Sequence, residues 1–194
     1  MSMPEPPTRR PLTSIEILHR IVAACKKNAA DLLSAAELCH ANRQASGVAY
    51  HLAILSLEEI GKSEIVRVLH VAEEHNRDAS SYEKHTTDHV KKLFWAMWGP
   101  TWGDEDRTPE QFSEMRGLAA RLHAKRMEAL YVGTTPEEFT AVANAVPDEE
   151  VKDLLTFTRA RVAIADQMQP RTLRANIAET LLASLITEQG GKEI

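Results

Sequence analysis

Between Ala49 and Ile65 the chain reads A-Y-H-L-A-I-L-S-L-E-E-I-G-K-S-E-I, and no other stretch constrains the fold as tightly. At about 100° per residue, Leu52, Leu55, Glu59 and Val66 share one side of a helix, while Ile54, Leu57 and Ile60 occupy others. A helix that is apolar nearly all round belongs in the middle of a bundle, with neighbours on every side. Yet this one carries two adjacent carboxylates and a lysine. On a stripe with His51, Glu58 and Lys62 stand four residues apart in the favourable acid-to-base order, which predicts that they neutralise each other. Glu59 is then left without a local partner, and its partner must come from another helix.

The rest of the chain supplies the surrounding helices. Thr13-x-x-Glu16 has the spacing of a capping box and opens an apolar periodicity that predicts a first helix from about Ser14 to His40. A polar break at Asn42-Arg43-Gln44 returns the chain into the second helix, about Ala45 to Glu74, so the two form an antiparallel hairpin. Ser80-x-x-Glu83 is a second capping box, predicted to open a helix that places His85, His89 and Lys92 on one face and ends at Gly99-Pro100. Thr108-Pro109-Glu110 supplies an N-cap, a proline at the first helical position and an acid favourable to the helix dipole, for a helix reaching about Tyr131. Thr135-x-x-Glu138 predicts a short helix, Pro147-Asp148 starts another, and an amphipathic segment from Leu173 to Glu188 completes the set. No stretch alternates with period two. The expectation is an all-α antiparallel bundle over residues 13–168, with a disordered lead at 1–12 and a C-terminal amphipathic helix and short tail at 169–194.

Composition narrows the functional classes. With 43% hydrophobic residues, 26% charged and a formal net charge of −5, the chain lacks the basic field that duplex nucleic-acid binding needs, so any such contact requires a local patch. Cys25 and Cys39 would lie roughly 21 Å apart along one helix and cannot pair within it. Unpaired cysteines, the absence of a signal-like N-terminus and the charges that interrupt the best apolar run predict a cytoplasmic protein with no membrane span.

If the second, third and fourth helices pack together, Glu59 and Lys62 could meet His89, Lys92 and Arg126 in one internal cluster. The plainer alternative is that Glu59 accepts hydrogen bonds that fix helix register, with the other charges on solvated faces. His85-x-x-x-His89 has metal-ligand spacing, with Glu58 or Glu59 as further donors. A ferritin-like site would need Glu-x-x-His, whereas Gly61 and Lys62 stand at that offset, and a nearby ammonium disfavours a dication. No metal and no cofactor are expected. Glycine-rich phosphate loops and serine-nucleophile elbows are also absent.

The runs A-I-L-S-L-E-E-I-G-K-S, D-H-V-K-K-L and K-R-M-E-A-L-Y-V, in that order, resemble the AbiV-type abortive-infection proteins, a branch of the HEPN superfamily, over roughly residues 15–165. The resemblance marks Glu58, Glu59, Gly61, Lys62, His89, Lys92, Arg126, Leu130 and Tyr131; where family members often follow L-Y-V with an acid, this chain has Gly133. It implies an all-helical HEPN-like bundle that blocks phage multiplication and forms homodimers. Many HEPN relatives are metal-independent ribonucleases with an Arg-x(4 to 6)-His motif, a spacing that Arg116 and His123 satisfy at its upper limit. Two functions follow: a module that binds a phage or host protein and inhibits an essential process, toward which the acidic charge and the lack of a stronger catalytic motif lean, or a metal-independent endoribonuclease acting on RNA through His123 and Arg116, or through His89, Lys92, Glu59 and Arg126.

Overall fold

Five helices of ten residues or more lie in the described part of the chain: α1 (Ile15–Ala41), α2 (Ser46–Val71), α3 (His89–Trp98), α4 (Pro109–Leu130) and α5 (Asp148–Gln167). A computed structural model describes residues 15–42, 46–71, 83, 85–99, 108–130 and 146–167, and no strand occurs among them. The predicted caps at Thr13, Ser80 and Thr135, the far end of the second helix and the segment after residue 168 lie outside the described residues.

α2 is the axis of the bundle and packs against each of the other four helices. Tyr50, Ile54, Leu57, Ile60 and Ile65 are all at most 1% exposed although they point in different directions, which a helix with solvent on one side could not achieve. Burying each of these side chains contributes about 1.5–3 kcal/mol, so α2 supplies much of the driving force for assembly. α1 meets it along Leu18, Cys25, Ala29, Leu33 and Ala36; the fully buried alanines at 29 and 36 let the two backbones approach. The Ser56 hydroxyl donates to the Ala29 carbonyl at 2.7 Å and pins the hairpin's register.

The later helices begin where local chemistry starts them. The Asp88 side chain accepts from the Lys91 amide at 3.0 Å, and its extended backbone (φ −73°, ψ 113°) makes it the N-cap of α3. This corrects the expectation of one helix carrying His85, His89 and Lys92: residues 83 and 85–87 are helical as well, but the extended backbone of Asp88 separates them from α3 and breaks the periodicity. Instead of sharing a face with His89, buried His85 lies with its Nδ1 3.3 Å from the Lys91 amine. α4 opens with a reciprocal capping pair, the Gln111 amide donating to the Thr108 hydroxyl at 3.3 Å and the Thr108 amide to the Gln111 side chain at 2.9 Å. α5 is tied to α1 at two places, through Asp148 to His40 (2.8 Å) and Arg159 to Glu37 (2.6 and 3.0 Å).

Candidate functional site: an interior charge cluster on α2

Two glycines of α2 set the distances at which α3 and α4 cross it. A Cβ added at Gly61 would lie 1.7 Å from the Lys92 carbonyl oxygen, and one at Gly47 would lie 2.4 Å from the Ala129 carbonyl oxygen. The first contact holds α3 against α2 beside Lys92; the second holds the end of α4, one turn beyond Arg126, against the start of α2. These approaches bring the side chains of three helices to one carboxylate.

That carboxylate is Glu58. Its Oε1 accepts from Arg126 Nη1 at 2.6 Å, and its Oε2 lies 2.7 Å from His89 Nδ1 and 3.0 Å from Lys92 Nζ. Glu58, Arg126 and Lys92 have side chains only 3%, 6% and 11% exposed, whereas His89 is 45% exposed. The buried ions are therefore roofed by an imidazole that water reaches. One carboxylate faces two permanent cations, which leaves the cluster an excess of positive charge in a low-dielectric setting.

Two further imidazoles border Arg126. The His123 ring stacks on His89 with centroids 5.2 Å apart and planes 13° from parallel. Burial holds the His123 pKa below its ordinary value, reinforced by the positive charge of Arg126 and by His89, so His123 is the neutral base of the group at physiological pH. His51, one turn inside the start of α2, is likewise lowered by burial and then by Arg126, with a hydrogen bond to the Arg126 backbone opposing the shift. The Nδ1 atoms of His51 and His123 and Nε of Arg126 are buried without a hydrogen-bond partner. A polar interior with unfilled donors and acceptors is suited to a transient partner rather than to packing alone.

The distribution of the expected residues differs from the sequence reading in three ways. Glu58 does not pair with Lys62; Lys92 and Arg126, each anchored on an opposing helix, take its two oxygens. Glu59 does not find its partner in His89, Lys92 or Arg126. It is half-buried and turns toward α1, where it hydrogen-bonds the Cys25 thiol, with Lys62 also acting on that thiol. Burial, followed by the Glu59 charge, pushes the Cys25 pKa up to about 12, so the group on this face is an unreactive thiol. Arg116 is exposed, and the charges that shift His123 come from Arg126, His89, Glu58 and Asp88 rather than from Arg116. His89, Lys92, Arg126 and His123 thus converge, while Glu59, Lys62 and Arg116 lie elsewhere. His51, which the sequence places on the Glu58 stripe seven residues earlier but which is not among the expected site residues, joins the cluster as well.

Glu58, His89 and His123 each offer a ligand atom within 4.8 Å of the others, a spacing that could hold a metal ion. The donor set fits such an ion poorly: Lys92 and Arg126 already occupy the carboxylate, and a dication would enter beside two fixed positive charges. The arrangement favours an anion.

Helix order, the α1–α2 hairpin and a polar cluster enclosed by three helices define the chain as an all-α bundle protein. The family model HEPN_AbiV, described as AbiV, matches residues 17–163, and the chain belongs to that family. No curated protein and no solved structure matches it. Membership associates the chain with abortive-infection defence. None of the described helices is long and apolar enough to cross a membrane.

Proposed function

We propose that this protein acts in abortive infection by cleaving RNA without a metal, and that the cluster around Glu58 is its reaction centre. The observation that carries this reading is the stacked pair His89 and His123, with a buried carboxylate fixing one ring and two cations behind them. Neutral His123 takes the proton of a ribose 2′-hydroxyl, whose oxygen attacks the adjacent phosphorus. His89, its Nδ1 held by Glu58, delivers a proton to the departing 5′-oxygen through its other ring nitrogen. Lys92 and Arg126 stabilise the charge that grows on the phosphorane oxygens. In the test, purified protein is incubated with RNA in EDTA: wild type should cleave, and His89→Ala and His123→Ala should lose cleavage while keeping helical circular dichroism. Intact RNA with wild-type protein, even after exposure to phage lysate, would sink the proposal.

A second reading is favoured by the near-complete burial of Glu58 and Arg126, which suits an ion pair that specifies helix packing. The protein then defends by binding a phage or host protein through its surface, as a homodimer, and the cluster only sets its shape. Plating phage on cells that express each variant separates the two. Loss of protection with the folded histidine variants supports catalysis, and retained protection supports the binding module.

A further inference from the structure

A second polar site lies on the other side of α2, near its far end. Arg161, on the inward flank of α5, is only 6% exposed, yet its Nε and Nη2 are buried with no hydrogen-bond partner. These two atoms form one edge of the guanidinium, the edge whose parallel N–H groups match two oxygens of a carboxylate or phosphate. The group left empty is thus a complete bidentate donor rather than a stray nitrogen.

Nearby side chains do not fill it. Glu64 of α2, 5% exposed, is the charge that acts on Arg161, but both of its oxygens are taken by Nη1 of Arg67, each at 3.1 Å. The Thr158 hydroxyl, one turn before Arg161, donates to the Leu154 carbonyl at 2.7 Å. The Glu64 carboxylate is thus engaged by Arg67, and the Nε and Nη2 edge of Arg161 stays unbonded in a desolvated place. On the same flank of α5, four residues before and three after Arg161, Phe157 and Ile164 are each 40% exposed.

We propose that the Arg161 edge, beside the Glu64–Arg67 pair, is a binding site for an oxyanion presenting two oxygens. Two sources have that chemistry: free phosphate, and a carboxylate from residues 168–194 of the same chain, where Glu179 and Glu188 are within the amphipathic run. The site is separate from the Glu58 cluster, and its existence does not depend on RNA cleavage.

The test uses the full chain and compares thermal unfolding in phosphate and in chloride at matched ionic strength, for wild type and Arg161→Lys, which keeps the charge but loses the edge. Phosphate also raises melting temperatures by exclusion from protein surfaces, an effect common to both proteins, so the difference between them is what counts. A saturable rise in wild type that Arg161→Lys lacks, with phosphorus NMR line broadening by wild type alone, establishes free phosphate as the ligand. If phosphate acts equally on both, Glu179→Gln and Glu188→Gln are measured. A fall in melting temperature in one of them that disappears in the Arg161→Lys background identifies the chain's own carboxylate. Equal phosphate response in both proteins together with no coupling between Arg161 and either glutamate overturns the proposal.

Discussion

Glu58 and Glu59 are consecutive residues with the same functional group, yet they meet opposite halves of the molecule. Glu58 faces α3 and α4, is almost completely buried, and gathers Arg126, Lys92 and His89. Glu59 turns toward α1, keeps partial contact with solvent, and bonds a thiol that it makes harder to ionise. A rotation of about 100° separates a hub for three helices from an acid whose loss the fold can absorb. What distinguishes them is the chemistry of the helix opposite, since α1 brings a small neutral group to the crossing and α3 and α4 bring cations.

The largest test of this contrast removes the hub's charge. Glu58→Gln leaves Arg126 and Lys92 buried without a counter-ion, and breaking a buried pair in this way costs about 3–5 kcal/mol. Chemical denaturation should show a loss of that size, together with loss of any RNA cleavage. A change below about 1 kcal/mol would mean that the ion pairs open to water and that Glu58 is no hub.

Gly61→Ala attacks the geometry instead of the charge. Its Cβ would stand 1.7 Å from the Lys92 carbonyl oxygen, and because that atom is backbone, α3 must move as a unit. The expected cost is about 1–3 kcal/mol or more, with Lys92 and His89 drawn away from Glu58. A melting temperature equal to wild type would show that the α2–α3 crossing is looser than these contacts imply. Glu59→Gln, at the smaller end, should stay within about 1 kcal/mol of wild type, since the amide can still accept from Cys25 and half of the side chain's surroundings are already wet. If Glu59→Gln proved as damaging as Glu58→Gln, the assignment of the two faces would be reversed.

Much of this architecture could be read from the residues alone. The apolar circumference of α2 required neighbours on all sides, and Thr108-Pro109 and Pro147-Asp148 placed the starts of α4 and α5 within a residue. His89, Lys92 and Arg126 were recognisable as charges in amphipathic positions on helices bound to pack near α2. The choice between Glu58 and Glu59 was not recoverable, because an apolar helix gives no sign of which flank receives which neighbour; that depends on how α3 and α4 rotate about their own axes. The local ion-pair rule misled for the same reason: it describes an exposed helix, where Lys62 competes only with water, whereas Glu58 is enclosed by two cations held at short distance. His85 was misplaced because a single Asp88 side chain, by capping its own helix, interrupts a periodicity that looks continuous in the sequence.

Acid provides the mildest test and the one that acts on a single side of the contrast. Burial and Arg126 lower the pKa of both His51 and His123 in the folded protein, whereas in the unfolded chain each titrates near its ordinary 6.5. Below that value the unfolded state binds more protons than the folded one, so stability is full above about pH 6.5 and declines as pH falls through the lowered folded values. Replacing both histidines with asparagine should flatten the decline between pH 7 and about 5, measured as the denaturant midpoint at each pH. Glu59→Gln should run parallel to wild type over the same range, because the Cys25–Glu59 contact contains no imidazole. A wild-type curve that is level down to pH 5, or one whose slope survives the double histidine replacement, would place the titrating groups outside the Glu58 face. The same protonations put new positive charge beside Lys92 and Arg126, so RNA cleavage that depends on neutral His123 should fall over the same interval and recover on return to neutral pH.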